Sequence, residues 1–144
     1  MKKLLALVVV LSLAATAAFG AVQEFGKTVK YTLDIPAGWT ASQEDSTTLV
    51  VADDNSASLT ISVESTEGKS LDAVAKELSE ALKGTTPEAD ADGDYSFTFD
   101  NGNGVTSHVL VTGDEGMFCA FVMTGIENKA DEIQAILGSL KVKE

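Results

Sequence analysis

Cysteine and proline are scarce in this sequence, with one cysteine and two prolines among 144 residues. A single cysteine, Cys119, excludes an intramolecular disulfide, so stability must come from packing. No proline- or serine-rich linker divides the chain, and residues 21–144 have the length of one ordinary domain.

Arginine is absent altogether, because all ten basic residues are lysines. Without a guanidinium group there is no bidentate fork for carboxylates or phosphates, which argues against a nucleotide site. Residues 21–144 contain eight lysines against 22 acidic residues, a formal charge of −14. Such a surface repels phosphate backbones and anionic lipids, so nucleic acid and membrane surfaces are poor partners.

The longest apolar run, Leu4 to Leu13, lies near the start of the chain. It follows Lys2 and Lys3 and precedes small residues, which predicts a signal peptide over residues 1–20. Cleavage before Ala21 and cleavage just after Ala17 both fit the small-residue rule. The run is shorter than the roughly 18 residues of a spanning helix, so an uncleaved anchor is the less favoured alternative. We expect a periplasmic or secreted protein with no membrane insertion after cleavage.

Alternation of polar and apolar residues predicts strands along much of the chain. These strands cover residues 31–35, 40–44, 47–52, 58–64, 94–100, 105–112 and 117–124. A tight turn is predicted from Asn101 to Gly104, because Asn and Gly tolerate positive φ.

Helical spacing of apolar residues predicts two amphipathic helices, over residues 70–83 and 128–137. Ser70 is placed to cap the first helix and Gly84 to end it.

The run from Met117 to Met123 is apolar at every position, which is typical of a strand covered on both faces. The predicted fold class is therefore α+β: an α/β/α sandwich with a central antiparallel sheet of about six or seven strands and a helix on each face.

Two phrases carry a family resemblance: "YTLDIPAGW" at residues 31–39 and "EIQAILGSLKV" at residues 132–142. With them the chain resembles the PsbP-like proteins and their exported bacterial relatives of the DcrB type, the Mog/PsbP-like sandwich. The resemblance implies one α/β/α sandwich domain over residues 21–144. Plant members of the family are photosystem accessory subunits, and the nuclear branch binds a small GTPase. Both phrases are packing motifs, so no functional residue is carried over from the family.

Trp39 is the only tryptophan and follows the turn at Pro36 to Gly38. We interpret it as an aromatic ring that folds back over the sheet edge and stabilises the fold. The alternative is a ligand-binding ring in a surface groove.

Glu88, Asp90, Asp92 and Asp94 occupy alternate positions of an acidic loop that resembles the front of a calcium loop. Read from Glu88, position twelve is Phe99 instead of a bidentate Glu, so any site is a weak one, with Asp100 as a possible further ligand. The alternative is a solvated loop without a cation.

Few residues offer catalytic chemistry. His108 is the only histidine, and the sequence contains no Gly-x-Ser-x-Gly nucleophile motif to accompany it. Cys119 lies in the most apolar strand, which indicates a buried small hydrophobic residue. Gly68-Lys69-Ser70 resembles the end of a phosphate loop, but Val63 stands where that loop needs glycine.

Three hypotheses of function follow. The first is a non-catalytic exported accessory or binding domain, without a cofactor, that acts on a protein partner in the cell envelope. The second is a weak divalent-cation binder that uses Glu88, Asp90, Asp92 and Asp94. The third, and least favoured, is a hydrolase centred on His108.

Overall fold

The computed structural model describes residues 21–27, 29–102, 104–114 and 116–143. The predicted signal peptide lies outside the described residues, as do Asn103 of the predicted turn and Glu115. The described elements are β1 (Ala21–Phe25), β2 (Tyr31–Ile35), β3 (Trp39–Glu44), β4 (Thr47–Ala52), β5 (Ser58–Ser65), α1 (Leu71–Leu82), β6 (Glu88–Ala89), β7 (Tyr95–Asp100), β8 (Thr106–Asp114), β9 (Met117–Thr124), α2 (Ile126–Gly138) and β10 (Lys141–Val142).

Seven strands form a large antiparallel sheet in the order β3-β4-β5-β9-β8-β7-β6. The predicted α+β class, with two main helices and a sheet of six or seven strands, is confirmed. One strand was assigned to the wrong sheet. Residues 31–35, predicted in the central sheet, form the middle strand of a separate antiparallel sheet, β1-β2-β10. Hydrophobic alternation reveals a strand but does not say which strands it pairs with.

β9 lies inside the large sheet between β5 and β8, and both of its faces are covered. Cys119 and Phe121 pack into the larger apolar cluster, and Phe118 and Val122 pack against the smaller one on the opposite face. The apolar run from Met117 to Met123 is therefore covered on both faces, as its sequence predicts.

α1 covers one face of the large sheet, where Val74 and Ala75 pack against Phe97 and the valines of β8. The Ser70 hydroxyl caps the helix by accepting a hydrogen bond from the Ala73 backbone N–H at 3.2 Å. At the other end Lys83, not Gly84, takes the left-handed conformation, with φ 57°. This corrects the predicted end of the helix by one residue.

The opposite face is covered by the small sheet together with α2. Tyr31, Leu33 and Ile35 of β2 are buried against the large sheet, and Ile133 and Ile136 of α2 complete the same cluster. The second layer is thus a sheet and a helix, where the sequence indicated a helix alone.

α2 begins at Ile126, two residues before the predicted start at Asn128, and Lys129 interrupts its helical backbone with φ −140°. The first turn is tied to the loop between β4 and β5. The Asn128 side-chain amide donates to the Ser56 carbonyl oxygen at 2.9 Å, and Lys129 forms an ion pair with Asp54 at 3.4 Å. These contacts join the kinked first turn of α2 to that loop. Within the described residues, no helix has both the length and the apolar character that a membrane crossing requires.

Candidate functional site

The two outer layers cover different halves of the large sheet. α1 packs on β7 and β8, whereas the small sheet and α2 pack on the other face, mainly over β3, β4, β5 and β9. On that second face β7 and β8 therefore extend beyond the covering layer. Ser96 and His108 are exposed there, and Thr98 and Leu110 are half-buried.

A groove of about 670 Å³ lies on this uncovered half of the sheet, and we call it the open groove. It is bordered by the segment between α1 and β7 and by the start of α2. Its lining side chains and backbone come from Thr85, Thr86, Glu88, Ser96, Phe97, Thr98, His108, Val109, Leu110, Met123 and Ile126. Hydroxyl groups and one imidazole thus lie beside an apolar floor, a mixture that suits recognition of a ligand with both polar and apolar parts.

Hydrogen bonds fix one wall of the open groove. The Thr85 backbone N–H donates to the Thr98 carbonyl oxygen at 2.8 Å, and the Thr98 N–H donates to Thr85 Oγ1 at 3.1 Å. From α1, the Ser79 hydroxyl donates to the Thr85 carbonyl oxygen at 2.6 Å. The wall is therefore held by both β7 and α1 before any ligand binds.

His108 lies within the open groove, opposite Thr98 on β7 and Met123 on β9. Among the described residues, no hydrogen bond or ion pair orients its ring. The exposed imidazole therefore offers a polar group at the surface of the groove.

Trp39 opens β3 and is only 6% exposed. Its indole Nε1–H donates to a carboxylate oxygen of Glu132 at 2.5 Å, which joins the large sheet to α2. This position supports the packing interpretation, and Trp39 is not part of the open groove. A ligand-binding role for Trp39 stays a prediction.

The four acidic residues of the predicted cation loop occupy two different settings. Glu88 lies in β6 and borders the open groove, whereas Asp90, Asp92 and Asp94 belong to the turn that leads into β7. The Asp90 carboxylate accepts hydrogen bonds from the backbone N–H groups of Asp92 and Asp94, at 2.8 and 3.0 Å. Over the described part of the chain, no three acidic, histidine or cysteine side chains are grouped closely enough to hold a metal ion. Cation binding therefore stays a prediction.

The pKa of Asp94 is raised, first by partial desolvation and then by the neighbouring charges of Asp90 and Asp92. Negative potential is therefore concentrated in this turn.

Two other candidates have structural roles. Burial raises the pKa of the half-buried Cys119 thiol, although a hydrogen bond with Thr112 acts in the opposite direction, so the reactive thiolate is disfavoured. Lys69 pairs with Glu77 at 2.8 Å beside the capping residue Ser70. Gly68-Lys69-Ser70 is thus the start of a helix.

Glu88 and His108 are separate candidates in the sequence, and nothing there predicts that they share one site. Ser96, Thr98 and Leu110 are not among the predicted site residues. A local signal was present, since Ser96, Thr98 and Asp100 alternate with aromatic residues of β7 that pack into the smaller apolar cluster. That signal identifies an outward face. It does not show that the neighbouring layer stops short of it.

No family model and no curated protein matches this chain. Similar solved structures were found. One is a crystal structure of a protein from Bacteroides thetaiotaomicron, with 18% sequence identity over 79% of this chain and a TM-score of 0.52. This chain spans 45% of the length of that protein.

Another similar structure is the solution structure of cyanobacterial PsbP from Synechocystis, with 15% identity, 88% of this chain and 95% of that chain covered, and a TM-score of 0.49. This second structure belongs to the family that the sequence resembles. At 18% identity, the likeness to the Bacteroides protein establishes a shared fold and nothing beyond it.

Proposed function

We propose that this protein is a non-catalytic, exported accessory domain that binds a protein partner in the cell envelope through the open groove. The observation that carries the proposal is the groove itself, about 670 Å³ on a sheet face that the other described residues leave uncovered. Its apolar floor offers surface to bury, and its hydroxyl groups offer specific hydrogen bonds. The predicted signal peptide supports the location.

A pair of substitutions matched in residue type and charge tests the groove. Ser96→Arg places a long side chain in the open groove, and Ser42→Arg places the same side chain on β3, where Ser42 is also exposed. We expect tagged wild-type protein to capture a partner from the cell envelope, the Ser42 variant to retain it and the Ser96 variant to lose it. Circular dichroism confirms that both variants fold. Equal capture by both variants would contradict the role of the groove.

Cation binding at the acidic turn is a second candidate, suggested by the alternate spacing of Glu88, Asp90, Asp92 and Asp94 in the sequence. The expected affinity is about millimolar. Thermal unfolding in calcium chloride, compared with sodium chloride of equal ionic strength, measures it. A calcium-specific shift that disappears in Asp92→Asn supports the site, and equal shifts in the two salts rule it out.

A further inference from the structure

We infer that the open groove takes an extended segment of the partner that carries a lysine or arginine near one end and an apolar side chain about four residues away. The inference rests on the proposed function, because it identifies the chemistry of the partner that the groove binds. Charge, length and the arrangement of the lining residues each support it.

Among the described residues that line the open groove, Glu88 is acidic and none is a lysine. Residues 84–128 contain eight acidic residues and no lysine, and this stretch supplies all the lining residues of the groove. Five ion pairs join described residues, and none of them uses a carboxylate from residues 84–128. Glu88 therefore has no ion-pair partner among the described residues. A cationic segment is steered toward such a surface, whereas an anionic one is repelled.

The length of the open groove sets the length of the segment. From Glu88 the groove crosses β6, β7 and β8 to reach Met123 on β9. Four adjacent strands spaced about 4.8 Å apart span about 14 Å, which an extended chain covers in about four residues.

The two ends of the open groove differ in chemistry. Glu88 supplies a carboxylate at the β6 end, and Met123 with Ile126 supplies apolar surface at the other end. Between them lie the exposed Ser96 and the half-buried Thr98, which offer hydroxyl groups to the backbone of an extended segment. This order places the basic residue of the partner beside Glu88 and its apolar residue beside Met123. A second copy of this chain is a poor occupant, because each copy carries a formal charge of −12.

Nuclear magnetic resonance titration of the ¹⁵N-labelled protein tests the inference. The probe is the unstructured peptide Gly-Ser-Lys-Ser-Ser-Ser-Leu-Gly-Ser. Two matched peptides replace its Lys with Glu or its Leu with Ser. We expect the first peptide to shift amide signals of β7 and β8, with a weak dissociation constant that rises with salt, and each replacement to weaken binding. Glu88→Gln should weaken binding about two- to fivefold, as for other exposed ion pairs. Glu44→Gln, an exposed carboxylate on β3, should leave it unchanged.

Several outcomes would overturn the inference: no shifted signals, shifts away from the open groove, or equal binding of the Lys and Glu peptides. Equal competition by spermidine would also overturn it, because the groove would then recognise positive charge alone. The failure of this inference is distinguishable from that of the proposed function. If Ser96→Arg loses the captured partner while the peptides do not bind, the groove is the contact surface but the segment has another chemistry. If Ser96→Arg keeps the partner, the proposed function fails whatever the peptides do.

Discussion

At the residue scale, the polar side chains buried among the described residues are paired by hydrogen bonds. Within the described part of the chain, every buried side-chain nitrogen or oxygen has a hydrogen-bond partner. Ser107 and Thr124 share a hydrogen bond across two strands at 2.7 Å, and the fully buried Tyr31 and Thr48 share another. Since buried polar groups are costly only when unpaired, these pairs allow hydroxyl groups to sit in an apolar core.

Tyr31→Phe should destabilise the protein by about 1–2 kcal/mol, because it leaves the fully buried Thr48 hydroxyl without its partner. The double variant Tyr31→Phe/Thr48→Val removes both polar groups and should recover part of that loss. Urea unfolding measures the free energies of Tyr31→Phe, Thr48→Val and the double variant. A double variant that loses the sum of the two single effects would show that the hydroxyl pair is not coupled.

Trp39→Phe should lower the free energy of unfolding by about 1.5–3 kcal/mol, because the half-buried Glu132 carboxylate loses its indole donor. Glu132→Gln keeps an acceptor oxygen and should cost less. In the wild type, acrylamide should quench Trp39 fluorescence weakly, since the ring is 6% exposed. Strong quenching in the free protein, or a fluorescence change on ligand addition without a stability loss in Trp39→Phe, would favour the ligand-binding interpretation.

Asp94→Asn should stabilise the protein slightly at pH 7, by less than about 0.5 kcal/mol. The pKa of Asp94 is raised in the folded state by desolvation and by Asp90 and Asp92, so its ionisation opposes folding. That cost is absent below the unfolded-state pKa of about 3.9 and develops as pH rises through the folded-state value. The gain should therefore vanish on acidification below about pH 4, as pH-dependent thermal unfolding would show.

A companion variant, Asp90→Ala, tests the hydrogen bonds of the same turn. It should destabilise the protein, because the turn loses the acceptor of two backbone N–H groups. A gain in Asp94→Asn that is independent of pH would exclude the electrostatic explanation.

At the element scale, the sequence predicted the long elements well and the short ones poorly. β4, β5 and α1 agree with their predicted ranges to within about a residue, because hydrophobic periodicity over many residues is a strong signal. β1, β6 and β10 are not among the strands that the sequence predicts. β6 and β10 have two residues each, and they exist because they pair with β7 and β2. Such pairing joins residues far apart in sequence, so no local pattern predicts it.

Gly84 is another residue whose role depends on distant contacts. The sequence predicts that it ends α1, whereas in the structure it allows β7 to approach closely. A Cβ there would lie 2.7 Å from the Phe97 ring and 2.8 Å from the Thr98 carbonyl oxygen. Gly84→Ala should therefore cost about 1–3 kcal/mol. Gly138→Ala is the matched control at the end of α2, where an added Cβ meets nothing within 4 Å, and it should be neutral or stabilising. Thermal unfolding of the two variants measures the difference in stability. Equal effects would show that the Phe97 ring moves aside without loss of stability.

At the scale of the whole molecule, the candidate site results from the offset of two layers. Local sequence predicted that β7 has an outward polar face, and it named His108 and Glu88 separately. The site forms because α1 covers β7 and β8 on one face only, whereas β2 and α2 cover the other half of the sheet on the opposite face. The extent of a covering layer depends on contacts between residues far apart in sequence, such as Trp39 with Glu132. For that reason the open groove could not be predicted from periodicity.

Salt should stabilise the whole molecule. The sequence carries a formal net charge of −12, so like charges repel in the compact state. The five ion pairs between described residues are largely exposed and contribute little, so screening removes more repulsion than attraction. Because the screening length falls from about 10 Å at 0.1 M to about 3 Å at 1 M salt, we expect a gain of about 1 kcal/mol over that range. Such a gain would raise Tm by roughly 4 °C at this chain length.

Calorimetry in sodium chloride measures the shift, and choline chloride at the same ionic strength controls for specific binding of sodium. A Tm that falls in both salts would mean that the exposed ion pairs outweigh the repulsion.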